Sequence, residues 1–253
     1  MMKKICMISF VLHFAAAGSG CASGNDKKAA EAAPAKVYMT RDISPAGMKA
    51  VYEALGRKAE GKKVAVKLST GEPGGNNFLQ PALIGDLVKS VKGTIVECNT
   101  AYGGAIKNIS IGIASSAGKA WIHSAGKTED TEKLWSSLPA QDDFLESMAE
   151  AAQAIAAHCG ERILYISVIN NLSVDCDCDA HPEPPRMGDI GILASLDPVA
   201  LDQACVDLVY ASPDEGKVHL IERMESRHGI HTLEHAEAIG IGSRQYELVD
   251  LDK

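Results

Sequence analysis

The sequence predicts an α/β protein: a mostly parallel sheet with helices on both faces. Three observations predict it. Aromatic residues make up only 5% of the 253-residue chain, so the core rests on Ala, Val, Ile and Leu, which suits close helix–sheet packing. Hydrophobic and charged fractions of 46% and 23% are those of an ordinary globular protein. Short β-rich runs alternate with segments of helical spacing, the pattern of βαβ units.

The N-terminus stands apart from this pattern. "MMKKICMISFVLHFAAAGSGCASG" has Lys3 and Lys4, an apolar run from Ile5 to Ala17, and then small residues. The run is too short to span a bilayer as a stable helix, and residues 1–20 read as a bacterial secretory signal. Cys21 is the expected lipidation site of a lipoprotein, although Gly18 stands where a leucine-like residue is usual. Residues 21–36 form a polar, Ala-rich tether, and 37–253 a single α/β domain. The protein is therefore expected outside the cytoplasm, touching membrane only through a lipid anchor; otherwise it is periplasmic or secreted.

The elements follow in order. "AKVYMTR" is a strand. Ser44 caps a helix with Pro45 at its first position and Met48, Val51 and Leu55 on its apolar face. "KKVAVKLS" is a strand, "TGEPGGNNFLQP" a loop, "PALIGDLVKSVKG" a helix and "TIVECNT" a strand. "AIKNISIGIASSAGKAWIHSAGK" begins strand-like and turns Gly/Ser-rich. A long helix spans Asp142–His158, and "ERILYISVINNLSV" and "DIGILASLD" are strands. Helix "DPVALDQACVDLVYAS", helix "IHTLEHAEAIG" and strand "RQYELVDL" complete the chain.

Ligands in open α/β sheets sit beyond the carboxyl ends of strands. "TGEPGGNN", "NTAYGG", "NNLSVDCDC" and "SLDP" all follow expected strands, so they are expected to converge. The richest is "VDCDCDAHPEPP". In extended chain Cys176 and Cys178 share one face, with Asp175, Asp177 and Asp179 on the other. Two thiolates with His181 select zinc, iron or an iron–sulfur cluster over calcium. A calcium loop fails because Ala180 and Arg186 replace its glycine and glutamate. Thiol redox chemistry and a structural acidic turn remain alternatives.

Other polar groups suit an anion such as phosphate or carboxylate. "AYGGAIKN" offers glycine N–H groups with Lys107 and Asn108, without the spacing of a P-loop. "SSAGKAWIHS" adds Ser115, Ser116, Lys119 and His123. For any lone Lys or His the plain alternative is a solvated or core-satisfied side chain. Asp197 before Pro198 caps a helix, and Asp202 either faces the same cleft one turn later or is solvated. His231 and His235 share a helix face, but "HTLEH" lacks the glutamate placement of a zinc protease. The formal charge of -8 argues against nucleic acid as a partner. Five of the seven cysteines remain once Cys6 is removed and Cys21 lipidated, an odd number that does not read as a disulfide framework.

"VKLSTGEPGGNNFLQP", "ECNTAYGG", "GGAIKNISIGIASSAGKAWIHSAG", "DCDCDAHPEPPRMGDIGILASLDPVALDQACVDLV" and "HGIHTLEHAEAIGIGSRQYEL" together resemble the uncharacterised family catalogued as domain of unknown function 362. The likeness runs from about Lys36 to Asp250. It implies an iron–sulfur or transition-metal protein, of oxidoreductase type, with Cys176, Cys178 and His181 as ligands. No ferredoxin module with repeated C-x-x-C spacing accompanies it. One departure is notable. "NTAYGG" runs directly into "GGAIKN" at Gly103 and Gly104, where members carry several dozen more residues. The resemblance thus implies a lost βα unit and one missing wall of the site. Two other functions therefore stand beside metal binding: a non-catalytic lipoprotein for a small anionic ligand, and a chain inactivated by the deletion.

Overall fold

Residues 33–61, 63–68, 78–96, 105–175 and 181–253 are described by a computed structural model. The signal, the tether up to residue 32, Cys21, the junction at Gly103 and Gly104, and both Cys176 and Cys178 lie outside those residues, while Ala35 and Lys36 at the tether's end belong to the first strand. Strand β1 (Ala35–Thr40) buries Val37, Met39 and Thr40. Helix α1 (Pro45–Ala54) starts as expected: Ser44 Oγ accepts from the N–H groups of Ala46 and Gly47 at 3.1 and 3.3 Å. Gly47 is required there, because a Cβ would lie 1.8 Å from the Asp42 carbonyl oxygen.

β2 (Val64–Lys67), α2 (Pro81–Ser90) and β3 (Gly93–Val96) form a βαβ unit, its two strands parallel and in a sheet of their own. Then come α3 (Ala105–Ile109), α4 (Ser116–His123) and the long α5 (Gln141–Cys159). β4 (Tyr165–Ile169), β5 (Gly191–Ser195), α6 (Pro198–Ala211), α7 (Lys217–Ser226), α8 (His231–Ala238) and β6 (Tyr246–Asp250) follow. The main sheet has the order β4-β5-β1-β6. All five residues of β5 are buried. Since side chains alternate along a strand, both faces are covered there. One core runs from Val37 through the βαβ unit to Ala236.

The chain is α/β, but its main sheet is mixed rather than mostly parallel. β1 pairs with β6 in parallel, whereas β5 runs antiparallel to both β1 and β4. The reason lies in the connection. Parallel neighbours need a crossover, usually helical, and residues 170–190 carry no helix among the described residues. The chain therefore turns back, and the Ile190 N–H donates to the Ile169 carbonyl at 2.8 Å. This also corrects the expected convergence. "NNLSVDCDC" after β4 and "SLDP" after β5 leave the sheet at opposite ends.

Two local readings change as well. "AIKNISIGI" is not strand-like but helix α3 and a 3-10 turn over Ile111–Ile113. "SSAGKAWIHS" is α4, capped by Ser115, whose Oγ accepts from Gly118 N–H at 3.1 Å.

Candidate functional site

The stretch around the C-x-C motif leaves β4 and is pinned at both ends. Ser173 Oγ donates to the Glu183 carbonyl at 2.7 Å and accepts from Asp175 N–H at 3.1 Å. Glu183 N–H in turn donates to Asp175 Oδ2 at 2.9 Å. These bonds close a neck, so residues 175 and 183 sit side by side. Ion pairs tie that neck to its surroundings. Glu183 Oε2 takes Arg186 at 2.8 Å and His219 of α7 at 3.2 Å, and Asp175 lies 3.9 Å from Arg223 of α7. His181 belongs to the loop so closed and is exposed. Cys176 and Cys178 fall within the same loop, outside the described residues.

The chemistry of the remaining thiols bears on a cluster. Cys159 is buried at the end of α5, and burial raises its pKa. Cys205 is half-buried on α6 and its pKa is likewise pushed up by burial, against a hydrogen bond from Ser167. Metal ligation requires the thiolate. Burial thus disfavours the thiolate form of both groups.

A second polar group forms around α3 and α4. His123 Nδ1–H donates to the Lys119 carbonyl at 2.7 Å, in the tautomer this contact assigns, and the ring stacks on Phe144 at 5.3 Å. Burial lowers the His123 pKa, and the charges of Lys107 and Lys119 lower it further. Of the four expected anion-binding residues, Lys107 and Lys119 thus both lie within electrostatic reach of His123.

Asn108 faces elsewhere. Its Oδ1 is buried without a hydrogen-bond partner. A Cβ on Gly112 would lie 2.9 Å from that oxygen and 3.4 Å from Lys67 Cε. Glycine therefore lets the amide and the lysine stem approach. Lys67, at the carboxyl end of β2, is fully buried, and its Nζ donates to the Leu68 carbonyl at 2.7 Å. Sequence reasoning passed over Lys67; the signal was a cation ending the apolar strand "VAVK".

Asp202 is neither solvated nor open to a cleft. It is buried on α6 and accepts from Ala105 N–H at 2.7 Å and Ile106 N–H at 2.9 Å. These are the orphan donors that begin α3. Burial raises the Asp202 pKa to about 6 despite the two backbone bonds. The positive end of α3 is therefore already occupied by a protein carboxylate. Asp197 caps α6 as expected, accepting from Val199 and Ala200 N–H at 2.8 and 3.0 Å.

A family model, domain of unknown function (DUF362), matches residues 96–207. No curated protein and no solved structure matches the chain. The matched segment runs from the last residue of β3 into α6. It therefore contains the pinned loop, both polar helices and Asp202. Over residues 96–207 the chain is thus similar to the DUF362 family.

Proposed function

We propose that this protein binds a transition metal in the loop between Asp175 and Glu183, with Cys176, Cys178 and His181 as ligands. The observation that carries the reading is the closed neck. Ser173, Asp175 and Glu183 hold the loop ends together. Much of the entropy of gathering three ligands from a short segment is then lost before metal arrives. Two thiolates and an imidazole suit a soft or borderline ion such as zinc or iron. The donor set favours a single ion over an iron–sulfur cluster. Clusters are generally held by four thiolates; burial disfavours the thiolates of Cys159 and Cys205, which leaves Cys98, outside the described residues, as the one further thiol of the domain. A ligand set of three would leave an open position, which is where oxidoreductase-type chemistry would enter if the ion is iron.

Export and lipidation at Cys21 belong to this reading. An exported thiol pair is exposed to oxidation, and metal would protect it. No helix among the described residues is long and apolar enough to cross a membrane. Anaerobic purification followed by metal analysis tests the reading. We expect at least one equivalent of transition metal in the wild type, with a sulfur-to-metal charge-transfer band, and about one equivalent less, with no such band, in a Cys176→Ser/Cys178→Ser chain. Less than about one-tenth of an equivalent in the wild type contradicts it.

A second reading, binding of a small anion, is favoured by one observation: Lys107 and Lys119 both act on His123. Phosphate or a small carboxylate would sit against the side chains of Lys107, Lys119 and His123. Saturating phosphate, at 100 times its dissociation constant, would then add about 2.7 kcal/mol of stability. Unchanged stability across phosphates and carboxylates removes this reading.

A further inference from the structure

The contact between α5 and α8 carries a ladder that neither proposal uses. On α5, Asp142, Glu146 and Glu150 recur every four residues and so share one face. Opposite them stand His228, in the turn before α8, and His231 and His235 on α8 itself. His228 Nδ1 lies 2.7 Å from Asp142 Oδ1, and His231 Nε2 lies 2.9 Å from Glu146 Oε1. His235 Nε2 is 3.7 Å from Glu150 Oε1, and it is buried without a hydrogen-bond partner. The His228 and His231 rings stack at 5.0 Å with 17° between planes, and His235 follows at 6.4 Å.

Ligand atoms of Asp142, His228 and His231 all lie within 4.8 Å of one another. We propose that these three residues form a second metal site, for a borderline divalent ion such as zinc, cobalt or nickel, clasping α5 to α8. Two imidazoles and one carboxylate are the donor types such ions prefer, whereas calcium and magnesium take oxygen ligands. Asp142 and His228 are about half exposed, with side-chain exposures of 50% and 53%. They can therefore close from a hydrogen-bonding distance onto an ion, and water can fill the open position. The supporting shell is present as well. Glu234 Oε2 stands 3.7 Å from His231 Nδ1, and Glu146 Oε1 stands 2.9 Å from His231 Nε2. Carboxylates behind metal-bound imidazoles fix ring orientation and raise basicity. His228 has a left-handed backbone, φ 50°, and its ring faces α5 through the contact with Asp142.

This site lies beyond residues 96–207 except for Asp142 and is independent of the thiols. The test therefore uses the tag-free full chain carrying Cys176→Ser and Cys178→Ser. Cobalt(II) and zinc(II) chlorides are titrated by calorimetry and absorption, with thermal unfolding alongside. We expect one equivalent to bind with a raised Tm and with no sulfur-to-metal charge-transfer band. Asp142→Asn and His228→Asn should each weaken binding at least about a hundredfold, more than the loss of a supporting residue costs. Asn at 228 tolerates the left-handed backbone, so folding is retained. Absence of binding in the Cys176→Ser/Cys178→Ser chain overturns the proposal, and so does binding that survives His228→Asn. Metal lost from the wild type only when the thiols are changed would sink this site and leave the loop reading standing.

Discussion

Asp202 is the residue whose surroundings most constrain its chemistry. A carboxylate whose folded pKa is raised to about 6 stays protonated in the native state while the unfolded chain, near 3.9, ionises. The native state then binds more protons, so stability falls as pH rises from about 4 to about 6. The size of that loss is up to about 3 kcal/mol, at 1.36 kcal/mol per pKa unit. Burial raises Asp197 as well, so its contribution has the same sign. Urea denaturation between pH 4 and 7 should show the decline, and Asp202→Asn should flatten it. His231 works oppositely. Its hydrogen bond to Glu146 raises its pKa, with Asp142 and Glu234 adding to the effect. The stabilisation it gives is complete below the unfolded value of about 6.5 and is lost as pH rises through the folded value. The free energy of unfolding should therefore decline as pH rises above about 6.5, and His231→Gln should remove that part of the decline in urea denaturation. Of these residues, the sequence marked Asp202 only as an undecided carboxylate. Its burial depends on α3 arriving from about a hundred positions earlier in the chain.

At the scale of elements, the start of α6 is a tightly built junction. Asp197 Oδ1 caps the helix while Oδ2 accepts from Ser243 N–H at 2.9 Å, joining α6 to the segment before β6. Gly242 makes room for this, since a Cβ would lie 2.0 Å from Asp197 Oδ1. Asp197→Ala should cost about 1–2 kcal/mol through the lost cap. Gly242→Ala should destabilise the wild type but cost less in the Asp197→Ala background, where the clash is gone. A double-mutant cycle by denaturant unfolding measures that coupling. Most elements were legible because apolar spacing and capping agree, as at Ser44 with Pro45 and at Asp197 with Pro198. α3 was not. Ile109, Ile111 and Ile113 alternate like a strand, but Asp202 caps the N–H groups of 105 and 106, and Ile106, Ile109 and Ile111 are buried. Tertiary context outweighs a local β pattern. α7 carried no strong apolar stripe, consistent with its having no buried residue.

At the scale of the whole molecule, strand direction was the part of the fold hidden from sequence. The alternation of strands and helices holds for β2-α2-β3, but a loop that reverses β4 into β5 looks in sequence much like one that crosses over. That reversal separates two stretches expected to meet. It leaves the stretch that follows β4 at one end of the main sheet and Asp197 at the other. The α5–α8 ladder was half legible. His231 and His235 at i, i+4 can be read from the chain, as can Asp142, Glu146 and Glu150, but their pairing requires the two helices to pack. Both proposed metal sites thus depend on different parts of the molecule: one on a closed loop, one on a helix contact.

The central claim is that metal sits on the thiols of the pinned loop. X-ray absorption at the metal edge, on the anaerobically purified wild type, tests it most directly. The account predicts sulfur scatterers at about 2.3 Å together with nitrogen at about 2.0–2.1 Å. Both sulfur contributions should vanish in the Cys176→Ser/Cys178→Ser chain. A first shell of nitrogen and oxygen alone in the wild type would contradict it.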